Sequence, residues 1–101
     1  MDKNEVIEIV KQYIRLLKNH FEVERVFLYG SYVNGSPKPE SDIDVAVIVK
    51  NVSGDYFTYT PLLWKLRRQI DERIEPLLFI GSSDESGFLS EIQQRGLEIT
   101  I

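Results

Sequence analysis

A chain of 101 residues is long enough to build one hydrophobic core and too short for two, so a single domain over residues 1–101 is expected. Hydrophobic residues at 43% and charged residues at 28% exclude a disordered or fibrous chain, and a net charge of −4 argues against an extended nucleic-acid surface, which needs lysine and arginine to neutralise phosphates. The lack of cysteine removes disulfides, cysteine-zinc sites and thiol chemistry and leads us to expect a cytoplasmic protein, and no apolar run approaches the roughly 20 residues of a membrane span.

From the N-terminus, Asp2 and Glu5 have the spacing of a capping box, and Val6, Val10, Tyr13, Ile14 and Leu17 then recur at helical intervals, predicting a first helix to about Asn19. Arg25 to Tyr29 reads as a short strand. Gly30 to Ser41, made largely of glycine, proline and serine without periodicity, reads as a shaped loop. Asp42 to Lys50 is β-branched and apolar on both faces beyond its first residues, the pattern of a central strand whose acidic end lies at the rim of a sheet. A loop over Asn51 to Tyr59 is followed by Thr60 and Pro61, read as the N-cap and first-turn proline of a second helix with Leu62, Leu63, Leu66 and Ile70 on its apolar face. Ile74 to Ile80 is a third strand, in which Pro76 demands an edge, a bulge or a strand start. Asp84 and Glu85 suit the start of a last helix that carries Phe88, Leu89 and Ile92 and ends near Gly96, and Leu97 to Ile101 is a closing strand. Arg67, Arg68 and Arg73 are expected on solvated faces. His20 sits at a helix end and receives no chemical role.

Chemistry concentrates at two points. Asp42 and Asp44 are two apart on a strand, so both side chains leave one face, with backbone origins roughly 7 Å apart. Two carboxylates so placed can converge on a pair of divalent ions, and ligands made only of oxygen suit magnesium or manganese. Gly30 and Ser31 directly follow a hydrophobic strand, where glycine admits close approach of an anion and serine adds a hydroxyl beside backbone N–H groups, a plausible phosphate cradle. Each pair alone has a plainer reading: a loop cap with a rim salt bridge for the aspartates, and a turn for Gly-Ser. Lys38 lies between two prolines in the loop, either solvated or touching a phosphate. Tyr56, Tyr59 and Trp64 form an aromatic group around the second helix, readable as core packing or as a patch for a partner.

Taken together, Gly30-Ser31, ten residues and Asp42-Ile43-Asp44 make the signature of the DNA polymerase β-like nucleotidyltransferase superfamily. The stretch YGSYVNGSPKPESDIDVAVIV, with Gly35 and Ser41, resembles the minimal nucleotidyltransferase family, and the resemblance continues through IEPLLF. It implies an α/β fold, a small mixed β-sheet flanked by helices, with a site where the first two strands meet the Gly-Ser loop. It also implies a third carboxylate on the next strand, the position held here by Glu75, where aspartate is the commoner choice; Asp71 and Glu72 are close neighbours in sequence. Asn34 is neutral where many relatives carry a basic residue.

By this resemblance, Asp42, Asp44 and Glu75 hold Mg2+ or Mn2+, Gly30, Ser31 and Lys38 bind the nucleotide, and AMP passes from ATP to a hydroxyl acceptor. Relatives of this size are commonly antitoxins paired with a HEPN-type ribonuclease toxin, which the transferase silences by adenylylation. After Ile80 only about twenty residues follow, so the acceptor is expected to be held by a second protein. Two other readings are a transferase of small molecules, whose known forms carry additional domains, and a binding module that neutralises its partner by docking alone.

Overall fold

The computed structural model describes residues 3–30, 42–50, 56–81 and 87–100. Its elements in chain order are α1 (Lys3–Leu17), β1 (Val23–Tyr29), β2 (Ile43–Val49), α2 (Tyr56–Arg67), β3 (Ile74–Ile80), α3 (Phe88–Arg95) and β4 (Leu97–Glu98). The strands form one mixed sheet in the order β3-β2-β1-β4, so the α/β expectation holds. β1 runs antiparallel to both β2 and β4, whereas β2 and β3 are parallel and are joined through α2, as a parallel pair requires a crossover.

Alternation along β2 divides the molecule into two layers. Ile43, Val45, Val47 and Val49 face the larger core, which they share with the stripe Val6, Val10, Tyr13, Ile14 and Leu17 of α1 and with Leu63 and Leu66 of α2. Ala46 and Ile48 face the opposite way, meeting Phe27 of β1 and Leu89 and Ile92 of α3. Both faces of β2 are therefore covered, which explains why it reads as an unbroken apolar run. The buried Tyr13 hydroxyl donates to the carbonyl of Leu63 at 2.8 Å, tying α1 to α2.

Several boundaries differ from expectation for identifiable reasons. β1 begins at Val23, two residues before the expected Arg25, and its register with β2 shifts between Val23 and Arg25. α2 begins at Tyr56, so Thr60 is not its N-cap and Pro61 lies within the helix. The Tyr59 ring packs edge-on against Phe21 at 5.6 Å, and such burial favours helix upstream of a proline that costs only one backbone hydrogen bond there. The closing strand is short, Leu97–Glu98, although the Ile99 N–H continues toward β1 by donating to the Val26 carbonyl at 2.9 Å; Ile101 lies outside the described residues. Pro76 stands opposite Val45 on β3, an edge strand, where one side needs no ladder donors. Asp2, Asp84 and Glu85 lie outside the described residues. Among the described residues no helix is long and apolar enough to cross a membrane.

Candidate functional site

Strand register places three side chains in one row. Tyr29 of β1 stands opposite Asp44 of β2, and Asp44 stands opposite Glu75 of β3. Paired residues share a face, and Asp44 alternates with Val45 onto the face of Ala46 and Ile48. Asp42, two residues before Asp44, joins the same side at the exposed strand entry. Three carboxylates contributed by two parallel strands thus collect at the end of the sheet where β1 leaves toward the Gly-Ser loop.

Gly30 explains how Asp44 fits there. Its φ is +82°, a left-handed conformation that other residues rarely adopt. A Cβ built at Gly30 would also fall on the Asp44 carboxylate, 3.1 Å from Cγ. The first residue of the Gly-Ser pair and the second aspartate are therefore one packing unit, although they are far apart in sequence.

The electrostatics record the crowding. Burial pushes the Asp44 carboxyl up to about 6, with repulsion from Glu75 and Asp42 adding to it. Glu75 is raised as well, by burial and then by Asp42, while the Arg67 guanidinium opposes the shift. The Tyr29 hydroxyl is raised to about 12, chiefly by burial and then by the neighbouring Asp44 and Glu75 charges. Negative charge gathered in this way is what a divalent cation relieves, and the all-oxygen donor set has the chemistry for magnesium or manganese. Among the described residues, however, no three carboxylates or histidines are disposed as a ready-made set of metal ligands. The three carboxylates are nonetheless close enough to perturb one another.

The two sequence neighbours of Glu75 are disposed differently. Asp71 is taken up by Arg73, whose guanidinium donates to both its oxygens at 3.0 and 2.7 Å and whose backbone N–H adds a third bond at 2.9 Å. This pairing lowers the Asp71 carboxyl below its ordinary value. Glu72 is exposed and stands outside the β3 register. Glu75 alone of the three is aligned with Asp44.

Arg67 and Arg73 correct the expectation of solvated faces. Arg67 is part-buried: its Nη1 donates to the carbonyls of Glu72 and Ile74, the latter at 2.9 Å, and its guanidinium lies 4.5 Å from the Trp64 ring centre. It thus anchors the entry of β3 immediately before Glu75. Tyr29 joins the site through strand register, which the sequence pattern does not display; only its position just ahead of Gly-Ser marks it there. Of the aromatic group of α2, Tyr59 turns to Phe21 and Trp64 is partly exposed beneath Arg67, while the Tyr56 side chain lies outside the described residues. Ser31, Asn34, Gly35, Lys38 and Ser41 lie outside them too.

Comparison with known proteins follows the same lines. The family model described as "Polymerase beta, Nucleotidyltransferase" matches residues 11–100. A Methanocaldococcus jannaschii protein named "Putative protein adenylyltransferase MJ0141" is 28% identical over 101 residues, which cover 94% of this chain and 99% of the relative. The crystal structure of a "putative nucleotidyltransferase" from Sulfolobus solfataricus superposes with a TM-score of 0.68 at 16% identity, over 95% of this chain and 80% of the other. A crystal structure described as "the toxin-antitoxin with AMP-PNP" does so with a TM-score of 0.68 at 23% identity, over 89% and 71%. At such identities the two solved structures speak for the fold.

Proposed function

The chain belongs to the polymerase beta nucleotidyltransferase family, and we propose that it moves AMP from ATP to a hydroxyl group on a protein partner, as the antitoxin of a HEPN-type toxin. The observation that carries the reading is the alignment of Asp44 with Glu75 beside Asp42, with Gly30 shaped to admit the Asp44 carboxylate. The protein-adenylyltransferase name of the Methanocaldococcus relative and the toxin-antitoxin fold neighbour with its ATP analogue support the donor and the class of partner.

In this reading Asp42, Asp44 and Glu75 hold Mg2+ or Mn2+, which when bound supplies charge neutralisation for the attacking and leaving oxygens. Gly30 brings backbone close to the phosphates, with Ser31 assigned to the same anion by its place in the motif and Lys38 by its charge in the intervening segment. The acceptor oxygen bonds to the α-phosphorus, the bond from that phosphorus to the bridging oxygen breaks, and pyrophosphate leaves while the hydroxyl proton passes to solvent. Most of the rate then comes from holding acceptor and triphosphate in line. Arg67 keeps the β3 entry in place through the Ile74 carbonyl, so that Glu75 stays level with Asp44.

The deciding experiment incubates the protein with ATP, magnesium and the product of the adjacent gene, followed by intact-mass spectrometry. The expected result is a mass gain of one or more AMP units on the partner. A complex that inhibits the partner without a mass change points to docking alone. Transfer to a small molecule, with no complex formed, overturns the protein acceptor.

A further inference from the structure

Between Asp55 and Asp71 the chain runs for fifteen residues without an aspartate or glutamate, although it carries 16 of them in all. This stretch makes α2 and the turn after it, and it holds Lys65, Arg67 and Arg68. On the other two helices basic residues are matched by acids one turn away, Lys11 by Glu8 on α1 and Arg95 by Glu91 on α3. Among the described residues neither Lys65 nor Arg68 enters an ion pair.

Helical spacing collects the exposed members of the stretch on one side. Pro61, Trp64, Lys65 and, in the turn that follows, Arg68 lie three or four residues apart, and all four are exposed. Trp64 is 37% exposed, yet its ring is held: the Arg67 guanidinium lies 4.5 Å from the ring centre while donating to the Ile74 carbonyl at 2.9 Å. An indole fixed by a hydrogen-bonded arginine has little rotamer freedom left to lose when it is covered.

Composition decides what can cover it. Tryptophan is among the residue types that most often anchor a protein interface, and cations beside it select an acidic counterpart. A nucleic acid needs a row of cations to neutralise successive phosphates, and two do not supply one on a chain of net charge −4. A two-fold pairing of copies through this face would set Lys65 and Arg68 against their own equivalents.

We infer that this face of α2 docks an acidic segment of the acceptor protein, with an apolar side chain of that segment over Trp64 and its carboxylates on Lys65 and Arg68. The inference rests on the protein-acceptor reading above and adds where the acceptor is gripped. α2 packs on the sheet face opposite the one that Asp44 shares with Ala46 and Ile48, so the docked segment does not compete with the nucleotide. The two places still adjoin, because Arg67 touches both Trp64 and the Ile74 carbonyl next to Glu75.

The test titrates the product of the adjacent gene into the wild type, Trp64→Ala, the pair Lys65→Glu with Arg68→Glu, and a control pair, Arg15→Glu with Lys18→Glu. The control makes the same charge change at exposed positions in and just after α1. Circular dichroism and magnesium-ATP binding are measured on each variant. Trp64→Ala and the α2 pair are each expected to weaken the complex about ten-fold or more, and the control pair less than about three-fold. ATP binding should be unchanged in both charge pairs. AMP transfer by the α2 pair should fall at low partner concentration and recover at saturation, since a docking loss leaves the reacting groups intact. A complex unaffected by the α2 pair, or weakened as much by the control, would overturn the docking face, while continued AMP transfer to the partner keeps the transferase reading standing. A wild-type dimer in sedimentation that the α2 pair turns into a monomer would assign the face to a second copy. Binding of a single-stranded RNA oligonucleotide that the same pair abolishes would assign it to nucleic acid, and either result overturns the inference. Wild-type protein that binds magnesium-ATP but neither binds nor modifies the partner would overturn the protein acceptor, and the docking face with it.

Discussion

Asp44 is a carboxylate half out of water between two others. Its carboxyl is raised from 3.8 to about 6, so the folded state binds this proton more tightly than the unfolded chain does. The stability linked to that proton is fully present below pH about 4 and is lost as pH rises through 6, the opposite of an ion-paired aspartate such as Asp71. We predict that Asp44→Asn is more resistant to urea than wild type at pH 7 in EDTA, and that the difference shrinks toward zero near pH 4. Because Asp44 and Glu75 titrate as neighbours, the measured midpoint belongs to the pair. Activity should move the other way: with magnesium, Asp42→Asn and Asp44→Asn are each expected to lose transfer by about a hundred-fold or more, as several kcal/mol of charge stabilisation disappear. Turnover within a few-fold of wild type in either variant would remove the catalytic assignment. Gly30 belongs to the same argument. Gly30→Ala places a methyl on the Asp44 carboxylate and forces a positive φ, so it should cost at least about 1 kcal/mol in denaturant melts and abolish activity together.

At the scale of elements, the decisive joint lies between α2 and β3. Arg67, in the last turn of α2, reaches the carbonyls of Glu72 and Ile74, and the Arg73 carbonyl in turn accepts from the Ile43 N–H at 2.8 Å at the start of β2. The chain entering β3 is thereby held level with the chain entering β2, which sets the Asp44-Glu75 register. Hydrogen bonds from a charged donor contribute about 1.5–3 kcal/mol when partly shielded. Arg67→Ala should accordingly lower stability by about 2 kcal/mol in chemical denaturation. It should also weaken metal-dependent ATP binding more than Arg68→Ala, its exposed neighbour, does; equal effects of the two would show that the joint does not position Glu75. Sequence reading recovered the kind of nearly every element here, since apolar periodicity is local. It misplaced the start of α2 because Thr60-Pro61 is a good local start signal that packing of Tyr59 on Phe21 overrides.

For the molecule as a whole, the two faces of the sheet have separate tasks. Among the described residues, α1 and α2 cover one with the larger core, while α3 packs on the Phe27, Ala46 and Ile48 part of the other, beside the carboxylate row. If the row serves as a metal site, ATP binding must depend on a divalent ion, because three carboxylates and a triphosphate otherwise repel at short range. Calorimetry with magnesium and again with EDTA is expected to show binding only in the former. Tight binding in chelator would exclude the metal assignment.

The amino-acid sequence by itself determined the α/β class and the central β2 strand, and it pointed to Gly30, Asp42 and Asp44 by their spacing and to Glu75 by family likeness. These depend on residue type and short spacing, which a single chain displays directly. Tertiary structure alone decided that Tyr29, Asp44 and Glu75 share one row, that Asp71 is withdrawn into an ion pair with Arg73, and that Pro76 is tolerated at an edge. It also decided that Arg67 works as an anchor and that Phe88 stands beside Tyr29. Strand order and register bring together residues as distant as Phe27 and Glu98, 71 positions apart, through hydrogen bonds between backbones that are chemically alike at every residue, so local composition carries no record of the pairing.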